Sequence, residues 1–194
     1  MQDDTTTRAE RGGYREPGGM RELLRIAWPL VLSNSFLTLQ ITLDRVLLSH
    51  RGSDDVAASL PAAMLFWAPM TLLQFTASYA TTFVAQYTGA GLPHRVGPAV
   101  WQALHFAVAS GVAFLAVLPF ADTLIVAGGH APNLQALERT YFRVLCLAAL
   151  PTLVAAAASS FFTGLGKSGT VLLINATGLA VNAALAYGWI LGRL

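Results

Sequence analysis

The stretch LTLQITLDRVLLSH, residues 37–50, places Asp44 and Arg45 side by side within an otherwise apolar run. Residues 26–43 carry no charged side chain, and Val-Leu-Leu follows the charged pair. A helix needs about 20 predominantly apolar residues to cross about 30 Å of hydrocarbon. The run therefore predicts a membrane-spanning helix at about residues 26–48, with both charges close to its far end.

Four further apolar runs follow, and together they predict an all-α integral membrane protein. Of the 194 residues, 55% are hydrophobic and 11% are charged, whereas a soluble domain has about 25% charged residues. The segments lack the alternation of barrel strands, and an isolated strand cannot satisfy its backbone in lipid. We expect five spans, at about residues 26–48, 56–87, 96–121, 144–165 and 171–191.

The first 20 residues are polar, Gly-rich and mixed in charge, which predicts a disordered cytoplasmic tail at residues 1–20 ahead of a membrane lobe at residues 21–194. With the N-terminus inside, seven Lys and Arg residues lie on cytoplasmic segments and five lie outside. This bias follows the positive-inside rule. We therefore expect a multi-pass protein of a bacterial inner membrane with a cytoplasmic N-terminus.

The composition and motifs argue against several other classes of protein. A net charge of +2 with no dense basic run gives no indication of nucleic-acid binding, and the four histidines show no metal-ligand spacing. No motif for a nucleophile, a phosphate loop or a carboxylate pair is present. We expect no enzyme activity, no metal and no cofactor. Cys146, the single cysteine, is interpreted as a buried and inert thiol.

The position of Asp44 predicts a functional role. At helical spacing, Ser33, Gln40 and Asp44 share one face of the first span, whereas Arg45 points about 100° away. A carboxylate near a helix centre costs about 2.5–3.5 kcal/mol on insertion, so it is retained where it faces an ion, a partner or a watery cavity. The alternative is that the span ends early and the two charges lie among the outer headgroups.

Uncharged polar side chains occur on two other predicted spans. The second span carries Gln74 and Gln86 on a loose polar stripe, and the fifth carries Asn175 and Asn182, seven residues apart on one face. Such stripes indicate an aqueous interior to which these side chains contribute. The alternative is that the amides hold helices together, at about 0.6 kcal/mol each. Trp67, deep in the second span, is expected to pack inside the bundle.

Three stretches taken together resemble the multidrug and toxic compound extrusion family. They are RELLRIAWPLVLSNSFLTLQITLDRVLLSHRGSDDVAA at 21–58, FVAQYTGAGLPHRV at 83–96, and FFTGLGKSGT at 161–170 with YFRVLCLAALP before it and VNAALAYGWILG after it. The resemblance covers residues 20–194 in order. It implies a fold of two six-helix lobes around a central cavity, of which this chain looks like an incomplete N-terminal lobe.

The same resemblance implies a function. Family members export drugs or metabolites against an inward flow of Na⁺ or H⁺, and Asp44 matches the first-helix Asp that binds the coupling cation. The expected partners are a small organic substrate of cationic or amphipathic character, the lipid bilayer, and either a C-terminal lobe or a second copy. One departure concerns the fifth helix, where the family often has a carboxylate four residues after the Asn and this chain has Ala186.

Two alternative functions remain open at this point. A flippase or exporter of lipid-linked saccharides belongs to the same superfamily, although the spans hold few cationic residues to meet a pyrophosphate. A truncated, non-transporting membrane protein would keep the packing of the lobe without its function.

The expected topology is testable with a reporter that fluoresces only in the cytoplasm. Five spans and a cytoplasmic N-terminus place the far end of the chain outside, so a reporter fused after Leu194 should remain dark. The matched control is the same reporter fused within the predicted connection at residues 88–95, which should be bright. A bright fusion after Leu194 would require an even number of spans.

Overall fold

A computed structural model describes residues 19–50 and 52–190, apart from the side chains of Glu22, Ile26, Trp189 and Ile190. Most of the predicted tail, residues 1–18, lies outside these ranges. The described chain is almost entirely helical and contains no strand, which confirms the all-α fold class. The helices are α1 (Met20–Ser49), α2 (Ser53–Ser78), α3 (Ala80–Gly89), α4 (Pro93–Leu115), α5 (Ala121–Ala127), α6 (Pro132–Gly164) and α7 (Ser168–Ile190), with a 3-10 turn at Leu118–Phe120.

Among the described residues, five stretches are long and apolar enough to cross a membrane, as the sequence predicts. They are Leu23–Ser49, Ser53–Gly89, Pro93–Ala127, Pro132–Gly164 and Ser168–Gly188. Helices α2 and α3 follow each other within the second stretch, and α4 and α5 lie within the third. The helix of the fourth span begins at Pro132, twelve residues before the apolar run that starts at Val144, because proline suits the first turn of a helix.

The long helix α6 lies at the centre of the fold and packs against α2, α3, α4 and α5. Its buried residues recur every three or four positions, so they form one continuous stripe: Glu138, Phe142, Cys146, Ala149, Leu153, Ala157 and Ser160. Cys146 is fully buried, as expected. Most of the stripe is apolar, and it forms the core together with buried residues of α2 and α4 such as Phe66 and Phe114.

Two glycines bring neighbouring helices unusually close to each other. A Cβ atom at Gly111 of α4 would lie 2.8 Å from the Cα of Leu150 on α6. One at Gly164, at the end of α6, would lie 2.8 Å from the carbonyl oxygen of Thr81 on α3. Because lipid provides no hydrophobic drive between helices, such close approach is a main source of packing energy in a membrane.

Helices α1 and α7 form a second unit that packs mainly on itself. Contacts are extensive between these two helices and sparse between α1 and α2 or between α6 and α7. In the most apolar window of each of these two spans, 6% of the residues are buried, against 28% in the second and fourth spans. Two polar contacts join these helices, Ser33 with Asn175 and Asp44 with Asn182. Because the later residue on α1 meets the later residue on α7, the two helices run parallel, as the first and fifth of five spans must.

The expectation for Trp67 is wrong. Its side chain is 42% exposed, and the neighbouring Phe66 occupies the core instead, with 2% exposure. One position along a helix turns a side chain by about 100°, so hydropathy at this depth could not distinguish the two rings.

The stretch at residues 164–170 is a helix end and a tight connection, with Gly166 at φ +70° between α6 and α7.

The close contact at Gly111 leads to a stability prediction. Gly111→Ala should lower the thermal unfolding midpoint of the purified chain by several degrees, because a methyl group there overlaps the backbone of α6 and such overpacking costs about 1–3 kcal/mol. Gly178→Ala on α7 is the matched control. A Cβ atom at Gly178 meets nothing within 4 Å, so that variant should unfold at the same temperature or slightly higher. Equal midpoints for the two variants would contradict the close packing of α4 on α6.

Candidate functional site

The contact between α1 and α7 contains a hydrogen bond between two polar side chains. The amide nitrogen of Asn175 on α7 donates to the hydroxyl of Ser33 on α1. Ser33 is 3% exposed. Both residues belong to the polar faces that the sequence indicates, and here they hold each other rather than line an open space. For this pair, the interpretation of polar residues as contacts between helices is the better one.

Further along the same contact, Asp44 on α1 meets Asn182 on α7. The side chain of Asn182 lies within hydrogen-bonding reach of the Asp44 carboxylate. An ionised carboxylate only accepts hydrogen bonds, so the amide nitrogen of Asn182 is the donor. The amide oxygen, Oδ1, is then left buried with no hydrogen-bond partner. A half-buried carboxylate and an unsatisfied amide oxygen therefore lie together between two helices.

Arg45 does not neutralise its neighbour Asp44. In the described ranges, every ion pair involves other residues, and neither Asp44 nor Arg45 takes part in one. Among the described residues, the carboxylate thus has an amide as its partner and no cationic side chain. Carboxylate and amide oxygens are hard ligands that suit a small cation, and the carboxylate alone can bind a proton. One turn beyond Asn182, Ala186 supplies no second carboxylate.

The other polar residues singled out in the sequence do not join this pair. Gln40 is half-buried on α1, between the levels of Ser33 and Asp44, and forms no described side-chain hydrogen bond. Gln74 is half-buried on α2 and Gln86 is exposed on α3, outside the contact between α1 and α7. The structure brings together Ser33 with Asn175 and Asp44 with Asn182, and it leaves the three glutamines apart.

Sequence reasoning missed a second acidic position, at Glu138 near the start of α6. Its side chain is 1% exposed, and His130 Nδ1 lies 2.9 Å from its Oε1. Beside it, Asp122 of α5 pairs with Arg139 at 2.7 Å and with Arg143 at 3.0 Å. These contacts fasten α5 to α6. The signal was present in Pro132, which favours a helix start well before the apolar run and so places Glu138 inside the helix.

Comparison with known proteins identifies relatives over most of the chain. The profile of the MatE family matches residues 29–188. A probable multidrug resistance protein NorM of Burkholderia mallei is 33% identical over 170 residues, which are 87% of this chain and 36% of that protein. The multidrug resistance protein NorM of Burkholderia vietnamiensis is 30% identical over 87% of this chain and 37% of its own length. A probable NorM of Thermotoga maritima is 24% identical over 89% of this chain and 38% of its own length.

The chain spans little more than a third of the length of the curated relatives it matches. No solved structure matches it. The matched region contains α7 up to Gly188 and all of α2 to α6, together with α1 from Pro29 onward, so it includes both Asp44 and Asn182. The resemblance seen in the sequence is therefore confirmed: this chain belongs to the MatE family, the multidrug and toxic compound extrusion proteins.

Proposed function

We propose that this chain is part of a cation-coupled antiporter that exports drugs or other small organic molecules, with Asp44 binding the coupling ion. Support for export comes from the MatE family and from the relatives named as multidrug resistance proteins NorM. Support for the ion site comes from one observation. The Asp44 carboxylate lies beside Asn182, whose amide oxygen is buried and has no hydrogen-bond partner.

A coupling cation would relieve two costs at this position. A carboxylate inside a membrane span is expensive unless a positive charge or water meets it. A buried carbonyl oxygen without a partner also costs free energy, about 1–3 kcal/mol. Na⁺ bound between the Asp44 carboxylate and Asn182 Oδ1 would satisfy both groups, with water as the remaining ligands. H⁺ would act on Asp44 alone and would leave the Asn182 oxygen to water.

Transport also requires a second bundle of helices. Carriers of this general kind work by moving one bundle against another around a site near the middle of the membrane. The five spans described here form one lobe, so the opposing wall would be a C-terminal lobe or a second copy of this chain. The substrate, cationic or amphipathic, would bind between them. We place the N-terminus in the cytoplasm, on the strength of the basic residues that precede α1.

Replacing Asp44 tests the ion site. In a complete transporter that carries this lobe, Asp44→Asn should reduce ion-driven efflux to background, because the neutral amide cannot bind the cation or the proton. Membrane insertion should persist, since the amide is cheaper to bury than the carboxylate. The measurement is efflux of a fluorescent organic cation from vesicles under an imposed Na⁺ or H⁺ gradient.

Arg45→Gln is the matched control for Asp44→Asn, since it removes the adjacent charge, which has no described ion-pair partner. It should retain most of the efflux. Equal loss in both variants, or no loss in Asp44→Asn, would favour the interpretation in which the two charges lie together among the headgroups.

The chain expressed alone should not transport. A single lobe offers no opposing wall at the contact between α1 and α7, so a gated pathway cannot form. Vesicles that contain only the purified chain should therefore show gradient-independent leakage at most. Strong efflux that depends on the gradient and disappears in Asp44→Asn would instead indicate that several copies build the cavity between them.

A further inference from the structure

A groove lies between α2 and α3 on one side and α4 on the other, away from Asp44. It encloses about 700 Å³. One wall, which we call the aromatic ladder, consists of Phe75, Tyr79, Phe83 and Tyr87, at a spacing of four residues. Three of its rings contact in sequence, with centroids 5.7 Å apart for Tyr79 and Phe83 and 6.4 Å apart for Phe83 and Tyr87.

The opposite wall of the groove is formed by α4 and is built from small residues. Ala99 and Ala103 lie one turn apart, and their short side chains leave the space that the aromatic ladder faces. Phe106 closes the apolar end and Gln102 adds one polar group. An apolar slot of this kind, open at its side, is suited to an extended hydrocarbon chain.

Arg95 lies at the other end of the groove, in the first turn of α4. Its side chain is exposed, and in the described parts of the chain it takes part in no ion pair. None of the residues that line the groove is acidic. The positive end of the α4 helix dipole adds to the charge of the guanidinium here. This end of the groove therefore favours an anion.

Acidic side chains that the structure describes are confined to one end of the helices, where Arg45, Arg139 and Arg143 also lie. The connections near Arg95 carry basic groups, His94 before it and Lys167 between α6 and α7. The acidic side chains that the structure describes all lie toward the other end of the spans, at Asp44, Asp54, Asp55, Asp122 and Glu138. By the positive-inside rule, the basic end faces the cytoplasm, and that leaflet is the source of anionic lipid.

We propose that the groove binds one anionic phospholipid of the cytoplasmic leaflet, with an acyl chain along the aromatic ladder and the headgroup phosphate at Arg95. Basic pockets between spanning helices on the cytoplasmic side are suited to acidic headgroups. In this groove, the positive charge of Arg95 lies at one end of the apolar slot. A zwitterionic lipid fits the slot equally well, but its headgroup has no net charge. Its ammonium group offsets the attraction between its phosphate and Arg95.

The test uses the purified chain and two lipids with identical acyl chains, phosphatidylglycerol and phosphatidylcholine. Native mass spectrometry counts the lipids that stay bound to each chain. The natural chain should retain phosphatidylglycerol about fivefold more strongly than phosphatidylcholine, as expected for one basic group at an anionic surface. In Arg95→Gln the preference should fall to near unity. Arg143→Gln, which removes a cation at the opposite end of the spans, should leave the preference unchanged.

A second pair of variants tests the slot independently of the charge. Ala103→Leu should fill the groove and abolish the retained lipid while Arg95 stays in place. Ala109→Leu makes the same change on an exposed position of α4 outside the groove, and lipid should be retained. Equal retention of the two lipids by the natural chain would overturn the proposal. So would a preference that survives in Arg95→Gln, or lipid that stays bound equally in both leucine variants.

Discussion

Inside hydrocarbon, every backbone N–H and C=O group needs a hydrogen-bond partner within its own helix. Thirteen of the serine and threonine hydroxyl groups that the structure describes obey the same constraint, because they donate to a carbonyl oxygen one turn earlier. Thr38, Thr42, Thr71 and Thr152 are examples. A hydroxyl bonded in this way has no proton left to donate to a neighbouring helix. Polar contacts between spans are consequently few, and those that exist are informative.

The distribution of polar contacts between spans divides the fold into two units. The helices around α6 associate through small and apolar residues, and Gly111 and Gly164 set the closest approaches. Helices α1 and α7 are joined instead by the contact of Ser33 with Asn175 and of Asp44 with Asn182. The proposed ion site thus belongs to the unit that touches the rest of the lobe least. An ion bound there would act on the contact between α1 and α7 rather than on the packed core.

Charge is arranged along the membrane normal as well as among helices. At the acidic end, Asp122 pairs with Arg139 and Arg143 and so holds α5 on α6, and Glu138 pairs with His130 of the connection between these helices. Asp44 lies toward the same end but has an amide as its partner. At the basic end, Arg95 borders the aromatic groove with no acidic residue among its lining. The two proposed sites therefore differ in chemistry, with a carboxylate for a cation at one end and a guanidinium for an anion at the other.

The sequence by itself determined the number of spans, the helical fold class and the family, because each depends on local properties. Hydropathy over about 20 residues reports whether a segment can cross the membrane, and the motifs around Asp44 and at residues 161–170 are contiguous in the chain.

Only the tertiary structure decided which polar residues meet. Helical spacing placed Ser33, Gln40 and Asp44 on one face, but it carried no information on which helix lies opposite. The pairing of α1 with α7 selected Asn175 and Asn182 and left Gln40, Gln74 and Gln86 apart. The exposure of Trp67 and the burial of Glu138 differ from what the local hydropathy predicts for the same reason. Burial is set by the neighbouring helix and not by the hydropathy of the segment.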